Sequence, residues 1–266
     1  MRKGLIIGNW KMNTTFSEAV VLTNQIKLKL EDLEGIEVAL CPPYLWLYPI
    51  ADLLEHAPSF IKLGAQNLYF EDEGAFTGEI SGKMLKGLVK YVIVGHSERR
   101  EHFKEDDKVI NNKVRAALEW GLWPILAVGE LKKMHEAPKG RGRPTSTEVR
   151  GNVLRQLEEG LERVSKEDVG KITIAYEPVW AIGTGEPATG AYANQVCQNI
   201  RQSLKRKYGY SASENIRILY GGSVKPDNIA EFALQPDIDG ELAGGASLKA
   251  REFIAICQAV AEKHLF

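Results

Sequence analysis

Five stretches of the chain place reactive side chains or bare backbone just beyond short apolar runs. Asn9 and Lys11 come after Leu5 to Gly8, His96 and Glu98 after Tyr91 to Gly95, and Glu177 after Ile172 to Tyr176. Gly221-Gly222-Ser223 comes after Ile216 to Tyr220, and Gly244-Gly245 after Ile238 to Ala243. Together they offer an amide, a cation, an imidazole, carboxylates and two glycine pairs whose uncovered N–H groups can approach an anion closely. The glycine pairs point to a bound phosphate. The imidazole and carboxylate point to proton transfer beside a carbonyl.

Of the five histidines, His56, His96, His102, His135 and His264, only His96 directly follows an apolar run, and Ser97-Glu98-Arg99 reads as a helix start. A helix N-terminus disfavours added positive charge, so this imidazole should stay neutral and donate a hydrogen bond, as an electrophile polarising a carbonyl does. The plainer reading is a histidine at the core edge bonded to backbone. Glu177 precedes Pro178 and the segment Val179-Trp180-Ala181-Ile182-Gly183-Thr184-Gly185. That suits a base at the mouth of an apolar site, next to a glycine-ended segment that can close as a lid. Trp180 fits lid or core packing equally well. Lys11 reads as an inward cation paired with Glu98, or else as a surface lysine beyond a short strand.

Other chemistries find little support. Gly183-Thr184-Gly185 lacks the rest of a dinucleotide fingerprint, so no nicotinamide cofactor is expected. No Asp/Glu/His cluster has metal-ligand spacing, and neither a Gly-x-Ser-x-Gly elbow nor a Walker A loop occurs. Metal-dependent and nucleotide hydrolysis are therefore not indicated, and the expected metal content is none.

The elements that must position these residues follow from periodicity. With Ile36 to Leu40, Ile61 to Gly64 and Pro124 to Gly129, there are eight candidate strands, several apolar at consecutive positions, as in parallel strands covered on both faces. Helical segments alternate with them. Ser17 is the expected cap of one carrying Val20, Ile26, Leu30 and Leu33, and Thr147 of one carrying Val153, Leu157, Leu161 and Val164. Eight βα units in roughly 250 residues make an α/β protein with a closed (β/α)8 barrel, an open doubly wound sheet being the alternative. In such barrels ligands meet the carboxyl ends of the strands, and phosphate binds in the loops after strands seven and eight, where Ser223 and Gly244-Gly245 fall.

The chain has 266 residues, 34 Lys+Arg against 35 Asp+Glu, and a formal net charge of −1. No overall field draws it to nucleic acid or to an anionic membrane, and neither partner is expected. Hydrophobic residues at 44% and charged residues at 26% allow an ordinary core. No composition shift divides the chain, so residues 1–266 are expected to form a single barrel domain. Cys41, Cys197 and Cys257 are too scattered for a disulfide framework, and no leader or spanning segment stands out; a cytoplasmic protein is expected. The Gly/Pro-rich stretch Lys132 to Ser146 reads as an elongated solvated βα loop in preference to a phosphate or RNA contact through Lys139, Arg141 and Arg143.

Seven blocks in order resemble the triosephosphate isomerase family: Gly8 to Asn13, Gly64 to Asn67, Gly74 to Ser81, Val94 to Arg100, Tyr176 to Gly185, Tyr220 to Val224 and Gly244 to Leu248. The resemblance implies a TIM barrel that interconverts dihydroxyacetone phosphate and glyceraldehyde 3-phosphate without a cofactor. It implies that Glu177 is the base, His96 the neutral electrophile and Lys11 the stabiliser of enediolate charge, with Asn9 ordering the site and Glu98 positioning Lys11. The use of a glutamate base, a neutral histidine and a closing loop is the general pattern for this family. Gly183, Ser223, Gly244 and Gly245 would hold the phosphate. The loop from Gln66 to Ser81 would reach into a second subunit through Thr77, implying a homodimer; composition alone would make Thr77 an exposed turn residue.

Four positions depart from the family pattern. Ala127 stands where cysteine is usual, and the Lys132 to Ser146 loop is longer than usual. Pro187 in Glu186-Pro187-Ala188 stiffens the lid's second hinge, shifting motion to Glu186 and Ala188. Gly190 extends the irregular stretch after that hinge. The longer loop motivates a four-carbon keto-phosphate isomerase as a rival function, and a non-catalytic phosphosugar-binding protein is the rival of another class.

Overall fold

A run that is apolar at consecutive positions has no side to turn to water and must be covered on both faces. A computed structural model, describing residues 2–130, 146–181 and 188–264, shows how this is met. The strands are β1 (Gly4–Asn9), β2 (Ile36–Cys41), β3 (Ile61–Ala65), β4 (Tyr91–Val94), β5 (Trp123–Gly129), β6 (Thr173–Glu177), β7 (Arg217–Tyr220) and β8 (Gly240–Ala243). Each lies parallel beside the next, and β8 pairs back onto β1, so the sheet is closed. Leu5, Ile7, Ala39, Ile93, Ile125 and Leu219 fill the interior, while their neighbours Ile6, Val38, Val92, Leu126 and Ile218 pack outward against the helices. Both faces are dry, which accounts for the unbroken apolar runs and rules out the open sheet.

The helices are α1 (Phe16–Lys29), α2 (Leu47–Leu54), α3 (Gly82–Leu85), α4 (Ser97–His102), α5 (Asp107–Glu119), α6 (Ser146–Gly160), α7 (Gly190–Tyr208), α8 (Tyr210–Asn215), α9 (Ile229–Ala233) and α10 (Ala250–His264). Among the described residues no helix is long and apolar enough to cross a membrane.

Several local expectations need correction. Thr15, and not Ser17, caps α1: its hydroxyl accepts the Glu18 N–H at 3.4 Å while the Glu18 carboxylate accepts the Thr15 N–H at 2.7 Å. Ser17 has Val20 three residues on, which cannot return such a bond. Thr147 is the second residue of α6 and not its cap. Gly190 does not prolong an irregular stretch; it begins α7, capped by Thr189, whose hydroxyl accepts the Tyr192 N–H at 3.3 Å. Ala127 faces the barrel interior. Glu177 and Asn9 are the last residues of their strands, and so are more rigidly held than loop residues.

The amino end of the barrel is closed by a buried polar network. Glu37 accepts from Lys90 Nζ at 2.7 Å and from the Tyr91 hydroxyl at 2.6 Å, and Arg217 donates to that hydroxyl at 2.7 Å. That charge balance serves stability, since ligands in this architecture meet the opposite end.

Candidate active site

Gly95 turns the chain out of β4 with φ of 76°, a left-handed conformation that a side chain would resist. The turn delivers His96 to the start of α4. Its Nδ1 accepts the backbone N–H of Glu98 at 3.3 Å. The Glu98 carboxylate is 3.7 Å from the same nitrogen, too far for a hydrogen bond. An Nδ1 that accepts carries no proton, so the imidazole is neutral with its hydrogen on Nε2. Nε2 lies 3.0 Å from Glu177 Oε1. The Glu177 carboxylate is further held by Ser97, whose N–H donates to Oε2 at 2.9 Å and whose hydroxyl donates to Oε1 at 3.3 Å. Only 2% of Glu177 and 7% of His96 is exposed, so both work in a water-poor environment.

Lys11 adopts φ of 54°, unusual for a residue with a side chain. Two side-chain amides hold it there. Asn9 Oδ1 accepts the Lys11 N–H at 3.1 Å, and Gln66 Nε2 donates to the Lys11 carbonyl at 2.9 Å and to the Cys41 carbonyl at 2.9 Å. The ammonium meets Glu98 Oε1 at 2.5 Å. Burial alone would raise the Glu98 pKa, but the hydrogen bond from Lys11 and the charge of its ammonium hold the carboxyl below its ordinary range. The cation also passes close to the glycine loop: a Cβ on Gly244 would sit 3.7 Å from Lys11 Nζ.

Beyond β7 and β8 the backbone supplies donors. Among the described residues, the N–H groups of Gly222, Ser223 and Gly245 donate to no protein acceptor. Ser247 joins the two ends of the site, lying 2.6 Å from the Gly244 carbonyl and 3.3 Å from the Asn9 carbonyl. Asn9, Lys11, His96, Glu98, Glu177, Ser223, Gly244 and Gly245 all line one cavity of about 520 Å³. Of the expected site residues only Gly183 lies outside the described residues, as do Glu186, Pro187 and nearly all of the Lys132 to Ser146 loop. Among the described residues no group of three or more His, Cys, Asp or Glu could hold a metal ion.

Three contributors had no assigned role on sequence. Gln66 and Ser97 act through contacts that only the folded chain creates, and nothing in their spacing signals it. Glu130 accepts from the hydroxyls of Tyr176 at 2.6 Å and Tyr192 at 3.3 Å. Burial, the larger effect, pushes its carboxyl up against those hydrogen bonds. The Trp180 ring meets that of Tyr192 edge-on at 6.0 Å, so the residue packs beside the Glu130 cluster just after β6.

A parallel barrel with a carboxylate, a neutral imidazole and a cation at one end of a cavity and free backbone donors at the other is a barrel enzyme built for small phosphorylated substrates. The sequence profile described as Triosephosphate isomerase matches residues 4–260. The triosephosphate isomerase of Dehalococcoides mccartyi is 50% identical over 261 residues, covering 98% of each chain. That of Carboxydothermus hydrogenoformans is 51% identical over 257 residues, 96% of this chain and 98% of the relative. That of Clostridium tetani is 49% identical over 257 residues, 96% of each. The chain belongs to the triosephosphate isomerase family.

Proposed function

We propose that the chain interconverts dihydroxyacetone phosphate and glyceraldehyde 3-phosphate by proton transfer through an enediolate, with no cofactor, the step shared by glycolysis and gluconeogenesis. The observation that carries this reading is that Glu177, His96 and Lys11 line one cavity together with glycine-loop residues whose N–H groups have no acceptor among the described residues. Glu177 leaves Ser97, takes the proton from the carbon next to the carbonyl and returns it to the former carbonyl carbon. His96 donates from Nε2 to the oxygen that gains charge, and the Lys11 ammonium stabilises the same anion. Glu98 positions Lys11, and Asn9 orders its backbone while leaving Nδ2 for substrate. Ser223, Gly244, Gly245 and Gly183 hold the phosphate, whose binding energy closes the lid.

The whole chain is read as one catalytic barrel domain acting as a homodimer in the cytoplasm. Exposed apolar side chains favour a partner: Met12, Phe16, Leu45, Tyr48, Phe76, Met84 and Phe103 all lie between β1 and α5. The loop over residues 66–81 packs on itself, Phe76 against Tyr69 at 4.8 Å, and leaves Thr77 at its exposed tip. The three cysteines are free and buried, in keeping with a reducing compartment. Neither nucleic acid nor membrane enters this reading. A coupled assay comparing kcat/KM for glyceraldehyde 3-phosphate and erythrulose phosphate tests it. A clear preference for the triose is expected; preference for the tetrulose, or turnover of neither, would overturn it.

A further inference from the structure

We infer that Asn228 is a positioning residue for the phosphate-binding turn after β7, acting through both ends of its side-chain amide; this rests on the reading that Ser223 and its neighbours hold the phosphate. Asn228 does not line the cavity. It stands behind the turn. Its Oδ1 accepts the Lys225 N–H at 2.8 Å, its Nδ2 donates to the Ser223 carbonyl at 3.3 Å, and its own N–H donates to the Lys225 carbonyl at 3.1 Å. One residue thus grips both ends of Ser223-Val224-Lys225. Among the described residues, no other side chain bonds the backbone of residues 222–225.

The geometry of the peptide group carries the consequence. In a planar trans peptide the N–H points opposite to the preceding C=O. Tying the Ser223 carbonyl back to Asn228 therefore also orients the Val224 N–H, while the bond to Oδ1 withdraws the Lys225 N–H from the turn's free donors. Among the described residues the Gly222 and Ser223 N–H groups donate to no protein acceptor, and both residues line the cavity. A phosphate site made of backbone donors gains affinity when the donors are already aligned, because the loop loses less freedom on binding. Only a short amide does both tasks here. Alanine removes donor and acceptor, and aspartate keeps the acceptor, loses the donor and adds negative charge near an anion site.

The test uses the full-length protein, inorganic phosphate as probe, and the variants Asn228→Ala and Asn228→Asp. Phosphate titrated into nitrogen-labelled wild-type protein should shift the backbone amides of Gly222, Ser223 and Gly245. If those amides stay still, the phosphate assignment itself fails. Given that they shift, both variants should bind phosphate about tenfold more weakly and show a matching rise in KM for glyceraldehyde 3-phosphate. Slow turnover of phosphate-free glyceraldehyde, which does not engage the turn, should stay within about twofold of wild type by the same reasoning. Wild-type phosphate affinity in both folded variants would overturn the inference, as would an equal loss on both substrates, which marks a general structural defect. If Asn228→Ala does not fold, Asn228→Asp, which retains the Lys225 bond, decides alone.

Discussion

Replacing Glu241 by glutamine should remove a pH-dependent weakness from the fold. Glu241 sits in β8 opposite Ile6 of β1 and Tyr220 of β7, both of which pack outward against the helices. It is 0% exposed, and neither carboxylate oxygen has a hydrogen-bond partner among the described residues. Among the described residues, the titratable groups shifted by its charge include Tyr220 and, from α7, Cys197. Neither is a cation able to stabilise an anion there. Burial pushes the carboxyl well above its ordinary range, so the folded chain keeps the proton.

The sign follows from linkage. The unfolded chain ionises this group above about pH 4.5 while the fold holds it neutral, so the native state binds more protons and stability falls as pH rises. The slope is about 1.4 kcal/mol per pH unit, or roughly 3 to 6 °C in Tm per unit for a chain of this size. Glutamine has the same shape and no charge. Its amide is equally unpartnered, which adds an offset independent of pH. Calorimetry of wild type and Glu241→Gln from pH 5 upward, at fixed protein concentration, should give curves that diverge as pH rises, by at most about that slope. Parallel curves would refute the assignment of a neutral, unpartnered acid.

The remaining predictions follow the same logic. Glu98→Gln should lower kcat about tenfold by releasing Lys11, and because Glu98 titrates low in the fold, any stability it adds is present above its ordinary range and fades at lower pH; unchanged kcat would oppose its role. Glu37→Ala should cost about 3 kcal/mol in denaturant unfolding by stranding Lys90, Tyr91 and Arg217, while kcat/KM of the folded enzyme stays the same, since the network is at the far end of the barrel. Light scattering should give a dimer mass for wild type and a monomer for Thr77→Arg; a monomeric wild type would remove the dimer from the account.

Much of this was legible along the chain because burial on both faces leaves a plain mark. Leu5-Ile6-Ile7 must be strand when Leu5 and Ile7 point inward and Ile6 outward. Asn9, Lys11, His96, Glu98 and Glu177 could be picked out because each falls at a strand's carboxyl end. Contacts remote in sequence leave no such mark. Gln66 reaching Lys11, Ser97 reaching Glu177 and Asn228 bracing Ser223 are hydrogen bonds of the fold. Glu241 is the opposite case: the apolar run around it implies burial, but whether a partner waits there depends on which side chains of β1, β7 and α7 face it. The cap of α1 is also readable in principle: Thr15 and Glu18 have the spacing of a reciprocal capping pair, which Ser17 and Val20 lack.

In the proposed reaction Glu177 is the group that moves the proton. Incubating dihydroxyacetone phosphate with the enzyme in heavy water and following deuterium at the carbon beside the carbonyl reports that step without any coupling enzyme. Wild type should exchange rapidly, and Glu177→Gln, which preserves shape and leaves His96 and Lys11 in place, should exchange about a thousandfold more slowly. Exchange by Glu177→Gln at the wild-type rate would contradict it.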